Sequence, residues 1–171
     1  MILTGPEIKA QVEAGAITID PFLPSLLNPN SYNYRLGSLL GISRRLFQDP
    51  RAAPDWRTVR LLSSGFLLEP GHIYLGNTCE RIGSDVYVAS LMGRSSVGRL
   101  GLYLQLSADL GQLGQSHHWT LELKVVQPLR VYPRMRIGQV SFWRRIGDYT
   151  PYQGRYMETD LPTPSRLWHD Y

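Results

Sequence analysis

Two arginines and two hydroxyls crowd into Gly93-Arg94-Ser95-Ser96-Val97-Gly98-Arg99-Leu100-Gly101-Leu102, and further on Trp119-Thr120-Leu121-Glu122 supplies a carboxylate from an apolar run. The glycines let backbone N–H groups approach an anion, and the guanidinium of Arg94 is suited to bidentate contact with a phosphate. A carboxylate on a strand-like segment is the natural complement, a group that can take a proton from water. The two segments together read as phosphate binding beside a base.

Alternation places Leu121 and Leu123 on one side of that strand and Thr120 and Glu122 on the other. By alternation alone such a carboxylate is more often a solvated strand residue than a catalytic one. Ser95 and Arg99, four residues apart in a tight turn, can project into one small volume. The triplet Arg94-Ser95-Ser96 by itself is equally a polar turn.

The elements that must position these groups are mostly strands. Ala16–Ile19, Phe66–Leu68, His72–Leu75, Val86–Leu91, Tyr103–Leu106, Trp119–Val126, Leu129–Tyr132 and Ile137–Trp143 are rich in β-branched and aromatic residues and punctuated by Gly, Pro, Asn or Asp. Many short strands predict an all-β barrel or sandwich. One helix is expected near the start, where Thr4-Gly5-Pro6-Glu7 has the form of a capping box and Gly15 closes the segment. Residues 41–60, with Pro50 and Pro54, read as a long connection carrying a short helix at Ile42–Phe47. The Pro- and Gly-rich tail, residues 147–171, is expected to order only against something else.

Composition narrows the class. A chain of 171 residues is one domain of ordinary size, here taken as residues 1–171. A single Cys79 fits a reducing compartment, and no apolar run reaches the roughly 20 residues of a membrane span, so a cytoplasmic protein is expected. The net charge of +4 comes from scattered arginines and shows no basic stripe interleaved with aromatics, which argues against nucleic acid as a partner. Zinc is not expected either. Zinc-dependent nucleobase deaminases carry H-x-E and P-C-x-x-C, whereas none of His72, His117, His118 or His169 is followed by x-Glu.

The phosphate turn and its carboxylate resemble the dCTP deaminase branch of the trimeric dUTPase-like family, with its G-R-S-S-L-A-R-L-G-L turn and T-L-E strand. Asn28-Pro29-Asn30-Ser31-Tyr32-Asn33-Tyr34-Arg35-Leu36-Gly37 resembles that family's N-P-x-S-Y-D-L-R-L-G. Phe66–Gly71, Thr78-Cys79-Glu80, Pro133–Gln139 and Pro162–Arg166 match further motifs in order. The resemblance implies a distorted jelly-roll or β-barrel with a short N-terminal helix, assembled as a homotrimer with sites between subunits. It implies a nucleoside triphosphate substrate, with magnesium carried on the phosphates and no protein-bound metal, and a C-terminal lid over the nucleotide.

Roles follow from the same resemblance. Glu122 is the general base for water attacking C4 of cytosine, Ser95 helps hold that water and Arg99 fixes the carboxylate. Arg94, Ser96, Val97 and Gly98, with Tyr152 and Arg155 of the tail, face the phosphates. Ala108, Gln112, Thr120, Leu121 and Thr159 surround base and sugar.

The departures cluster around base and sugar. Gln112 stands where the family has the Asp that receives the 3′-hydroxyl, Leu113 replaces Pro and His117 replaces Gly. Thr159 replaces a nucleotide-contacting glutamine. Asp109 would compensate for Gln112 only in a rebuilt loop, and Arg134 replaces a turn glycine, tolerable only where the turn avoids positive φ. The expected activity is deamination of dCTP to dUTP and ammonia. A dUTP diphosphatase ranks second, since Asn33 occupies the place of a family Asp; a bifunctional dCTP-to-dUMP enzyme ranks lower; a nucleotide binder without turnover is the non-enzymatic alternative.

Overall fold

Helix α1 (Gly5–Glu13) starts where Pro6 can sit without cost, in the first turn, and ends at Gly15, whose φ of 74° leaves the helix in the left-handed region. The expected capping box is not closed. Thr4 makes no side-chain cap bond, and Glu7 instead accepts the Gln11 amide at 2.8 Å, one turn along.

The computed structural model describes residues 1–105, 108–157 and 159–171, so the expected strand end at Leu106, and Glu158 of the expected lid, lie outside the described residues. After α1 the chain is β-structure: β1 (Thr18–Asp20), β2 (Leu27–Asn28), β3 (Ser31–Arg35), β4 (Leu39–Ser43), β5 (Trp56–Arg60), β6 (Phe66–Leu68), β7 (Ile73–Ser84), β8 (Tyr87–Gly93), a helical turn α2 (Ser95–Gly98), β9 (Leu102–Leu104), β10 (Gln115–Val125), β11 (Leu129–Val131) and β12 (Arg136–Arg144). One sheet runs β5-β4-β7-β10-β9 with β1 also on β7, a second runs β2-β3-β12-β8, and β11 pairs with β6. Their inner faces share one core that includes Tyr32, Leu40, Ile82, Leu91, Leu121, Val140 and Phe142. This is the all-β architecture that the strand spacing predicted.

Three expectations are corrected. Residues 41–60 hold no helix: β4 and β5 pair from Leu39↔Arg60 to Ser43↔Trp56, and only 44–55 connect them. The alternation was hidden because β5 is an edge strand, largely solvated. β7 extends far past Leu75 because Thr78, Glu80 and Ser84, polar in sequence, are buried and bonded there. Arg134 does adopt φ 62°, in a turn closed by Met135 N–H on the Tyr132 carbonyl at 3.3 Å. With Pro133 before it this is the type II geometry that favours glycine, and an L-residue there costs roughly 1–2 kcal/mol.

An irregularity between β7 and β10 shapes the site. His118 pairs with Arg81 and Thr120 with Asn77, so Trp119 alone faces Thr78, Cys79 and Glu80. The Trp119 N–H, left without a ladder partner, donates to Thr78 Oγ1 at 2.9 Å. The excursion carries Glu80, fully buried, onto Arg35, which gives it Nε–H at 2.6 Å and its backbone N–H at 2.9 Å. Bulges re-aim side chains, and here the cavity-facing parity of β10 changes at Trp119.

Candidate active site

That change of parity puts Gln115, His117 and Trp119 from one side of the break, and Thr120 and Glu122 from the other, around a single cavity of about 660 Å³. Strict alternation would send His117 and Glu122 to opposite faces. The site therefore gains Gln115 and Trp119, which sequence reasoning missed and which no signal short of the bulge announces, and it takes in His117, which the motif marked only as a departure.

The remaining walls are mostly loops. Gln105, Ala108, Leu110 and Gln112 come from the connection between β9 and β10, Gln48, Asp49, Pro50, Ala52 and Pro54 from that between β4 and β5, and Trp56 from the start of β5. The tail closes the top with Tyr152, Tyr156, Thr159, Thr163 and Trp168. It is held by Tyr152 N–H on the Leu113 carbonyl at 3.3 Å, by Thr163 N–H on Thr120 Oγ1 at 3.1 Å, and by an Arg81–Asp160 ion pair at 2.9 Å. Gly111 lies so close to Trp119 that a Cβ there would sit 2.6 Å from the ring, which pins the loop carrying Gln112.

Glu122 is half-buried between the fully buried Leu121 and Leu123, as the alternation required. Its carboxylate has no ion-pair partner among the described residues. The backbone N–H of Glu122 donates to Gln105 Oε1 at 2.8 Å. His117 is buried, its ring 4.6 Å from that of Trp119, whose Nε1–H is itself fixed on the Ile82 carbonyl at 3.0 Å. Burial pushes the His117 imidazolium to dissociate below its usual range, against the opposing pull of the His118 carbonyl, so the ring is neutral near pH 7.

The structure brings together Glu122, Ala108, Gln112, Thr120, Thr159 and Tyr152. Leu121 is a correction: its side chain lies in the core, leaving only its backbone for a ligand. Asp109 does not stand in for the missing carboxylate at Gln112, because it accepts from Ser90 Oγ at 3.1 Å and does not line the cavity. Arg155 is exposed, paired with Asp170 and bonded to the Arg166 carbonyl at 3.1 Å. Arg94, Ser95, Ser96, Val97, Gly98 and Arg99 also fall outside the cavity of their own chain; Ser95, Ser96 and Arg99 are exposed on the α2 turn and Val97 is buried in the core. Among the described residues the cavity is lined by the carboxylates of Asp49 and Glu122 and by no Arg or Lys. No three His, Cys, Asp or Glu side chains converge as a metal site among the described residues, and no described helix is long and apolar enough to cross a membrane.

A fold with this sheet order, a carboxylate on an interior strand and a tail closing the cavity can be compared with known proteins. The family model described as dCTP deaminase-like matches residues 2–145, and the chain belongs to that family. It is 41% identical over 172 residues to a "dCTP deaminase, dUMP-forming" of Hathewaya histolytica, covering 100% of this chain and 99% of the relative. A protein of the same name from Leptospira biflexa is 40% identical, covering 100% and 98%. A "dCTP deaminase" of Rhodopirellula baltica is 41% identical over 148 residues, covering 86% of this chain and 74% of the relative. The crystal structure of 2′-deoxycytidine 5′-triphosphate deaminase from Agrobacterium tumefaciens superposes with a TM-score of 0.65 at 24% identity. This chain spans about half of that one, 47%, with 82% of its own length matched, a likeness of fold.

The expected product is dUTP, with a dUMP-forming enzyme ranked lower, whereas the relatives from Hathewaya and Leptospira are named dUMP-forming.

Proposed function

We propose that this chain deaminates dCTP at C4 and carries the nucleotide through to dUMP, with Glu122 as the general base. The observation that carries the reading is the Glu122 carboxylate, free of ion-pair partners among the described residues and opening on a cavity of nucleoside size lined by aromatics and neutral amides. Two waters are consumed: dCTP and two H₂O give dUMP, ammonia and diphosphate. The first water adds to C4 while Glu122 accepts one of its protons and passes it to N3; the carboxylate then takes the remaining proton from the new C4 hydroxyl and gives it to the amine, and the C4–N bond breaks to release ammonia and leave the C4 carbonyl. The second water attacks the α-phosphorus, and the α–β anhydride bond breaks to release diphosphate.

The charge of the cavity supports a site shared between subunits. A triphosphate cannot be held by a cavity with two carboxylates and no cation, so its phosphates require guanidinium groups from elsewhere. The exposed α2 turn carries Ser95 and Arg99 away from the cavity of its own chain, as expected of a turn that serves a neighbour in a homotrimer. On this reading Arg94, Ser96 and the Gly98 backbone meet the phosphates from the second copy. Ser95 helps hold the water there, and Arg99 steadies Glu122. On the same reading magnesium arrives with the triphosphate, and a dCTP substrate supports a cytoplasmic enzyme.

A stand-alone dUTP diphosphatase is disfavoured by Asn33. Its amide donates to the Leu26 carbonyl at 3.1 Å and to Asn28 Oδ1 at 2.9 Å, and it does not line the cavity. Anion-exchange analysis of dCTP incubations tests the proposal: dUMP, diphosphate and ammonia should appear in equal amounts. Accumulating dUTP would contradict the second step, and absence of ammonia the first. Refolded mixtures of Arg99→Ala and Glu122→Gln should regain part of the activity that each lacks, whereas a monomer of 19.4 kDa by sedimentation would contradict shared sites.

A further inference from the structure

Two departures of this chain that line the cavity meet each other. Thr159 Oγ1 lies 3.2 Å from His117 Nδ1, across 42 residues of sequence, and both residues are buried, at 5% and 4% exposure. Among the described residues of the tail, 147–171, only Thr159 and Pro162 are buried; the Asp160 and Tyr152 contacts are exposed or long. His117 is a buried post, its ring 4.6 Å from that of Trp119 and tilted 30° to it, and Trp119 is itself anchored to β7.

We propose that His117 is a positioning residue for the tail: by holding Thr159 it fixes the C-terminal segment over the nucleoside end of the cavity and aims the Thr159 hydroxyl at the substrate. This rests on the reading of the cavity as the nucleotide site. The imidazole geometry fixes the direction of the bond. Nδ1 also faces the His118 carbonyl at 3.3 Å, an oxygen that only accepts, so Nδ1 carries the proton and Thr159 Oγ1 accepts from it. The Thr159 hydroxyl then has its own proton left to donate, and Nε2, buried and without a partner among the described residues, is left as an acceptor. The post and the residue it holds stand where the dCTP deaminase branch resembled by the sequence has glycine and glutamine, so the pair acts as a unit and neither change is complete alone.

Four variants decide it. Thr159→Val keeps the shape without the hydroxyl, Thr159→Ser restores it, and His117→Phe keeps an aromatic ring against Trp119 without Nδ1. With loss of one hydrogen bond, Thr159→Val and His117→Phe should each raise KM for dCTP about tenfold with kcat within about twofold. Thr159→Ser should stay near wild type, and His117→Phe/Thr159→Val should be no worse than the weaker single variant, because the same bond cannot be lost twice. Hydrogen exchange of the unliganded protein is a readout that needs no turnover. The Thr163 amide should exchange faster in Thr159→Val and His117→Phe, while the amide of Leu123 in the core keeps its protection, which also shows that the variants are folded. Additive losses, a fall in kcat with KM unchanged, or unaltered exchange at Thr163 would overturn the proposal. A wild-type protein that releases no ammonia would refute the deaminase reading alone, and the exchange measurement would still decide the role of His117.

Discussion

Gln105 replaces a missing rung of the sheet beneath Glu122. The pairing of β9 with β10 ends at Leu104↔Leu123, and as β9 turns away the Gln105 side-chain oxygen accepts the Glu122 N–H at 2.8 Å. Its amide donates to the Ala108 carbonyl at 3.2 Å, and its backbone takes φ 49°, in the left-handed region. One buried side chain thus fixes both the strand position of the base and the start of the loop that carries Gln112. Backbone strain of this kind is stored where geometry matters.

Gln105→Leu keeps the volume and removes both bonds. Stability should fall by about 1–2 kcal/mol. Ammonia release should fall between tenfold and roughly a hundredfold, the effect of a base displaced by a fraction of an ångström to about 1 Å. Urea unfolding beside steady-state rates separates the two, and unchanged kcat would show that Gln105 does not position Glu122.

The Arg35–Glu80 pair is structural, with Glu80 fully buried and Arg35 largely so. Glu80→Ala leaves a buried guanidinium unpaired and should cost about 3–5 kcal/mol. The drop should appear in the urea midpoint, with little change in kcat per folded molecule at low temperature. A loss under about 1 kcal/mol would mean that water already solvates the pair.

Legibility differed by element. Strands with apolar faces, such as β6, β8, β11 and β12, showed in the sequence because one side of each packs in the core. β3 did not, since Ser31, Asn33 and Arg35 look like a polar turn until Asn28, Leu26 and Glu80 are seen to satisfy them. Alternation put Glu122 and Thr120 on one face of their strand, and the motif, as for Gln112 and Thr159, assigned them to the site. Gln115 and Trp119 were not placed, and His117 only as a departure beside the sugar, because the excursion at Thr78–Glu80 is a property of two strands together and leaves no mark in either one.

Gln112 lines the cavity as a neutral amide, and Asp109 is turned away towards Ser90. A neutral hydrogen bond to the sugar in place of a charge-assisted one is worth about 1–2 kcal/mol less, or roughly ten- to thirtyfold. Gln112→Asp should therefore sharpen the preference for dCTP over CTP, measured as a ratio of kcat/KM. A native preference of several hundredfold that Gln112→Asp leaves alone or impairs would show that another group reads the deoxyribose.

His117 gives a pH signature. Burial holds its folded pKa below the ordinary value of about 6.5, so the unfolded chain binds the proton more readily. The contribution is present above that pH and is lost as pH falls through it towards the lower folded value. Tm should drop more steeply from about pH 7 to 5 in the native protein than in His117→Phe. Parallel profiles would remove His117 as the group responsible.

The central claim is that Glu122 is the base for deamination. Glu122→Gln keeps the shape of the side chain and cannot accept a proton, and loss of general-base action costs about 10²–10⁴ in rate or more. Ammonia release from dCTP, measured for native protein and Glu122→Gln beside calorimetric binding of dCTP, tests it directly. The account predicts nucleotide binding within about tenfold of native and ammonia release reduced at least a hundredfold. Substantial turnover by Glu122→Gln would contradict it.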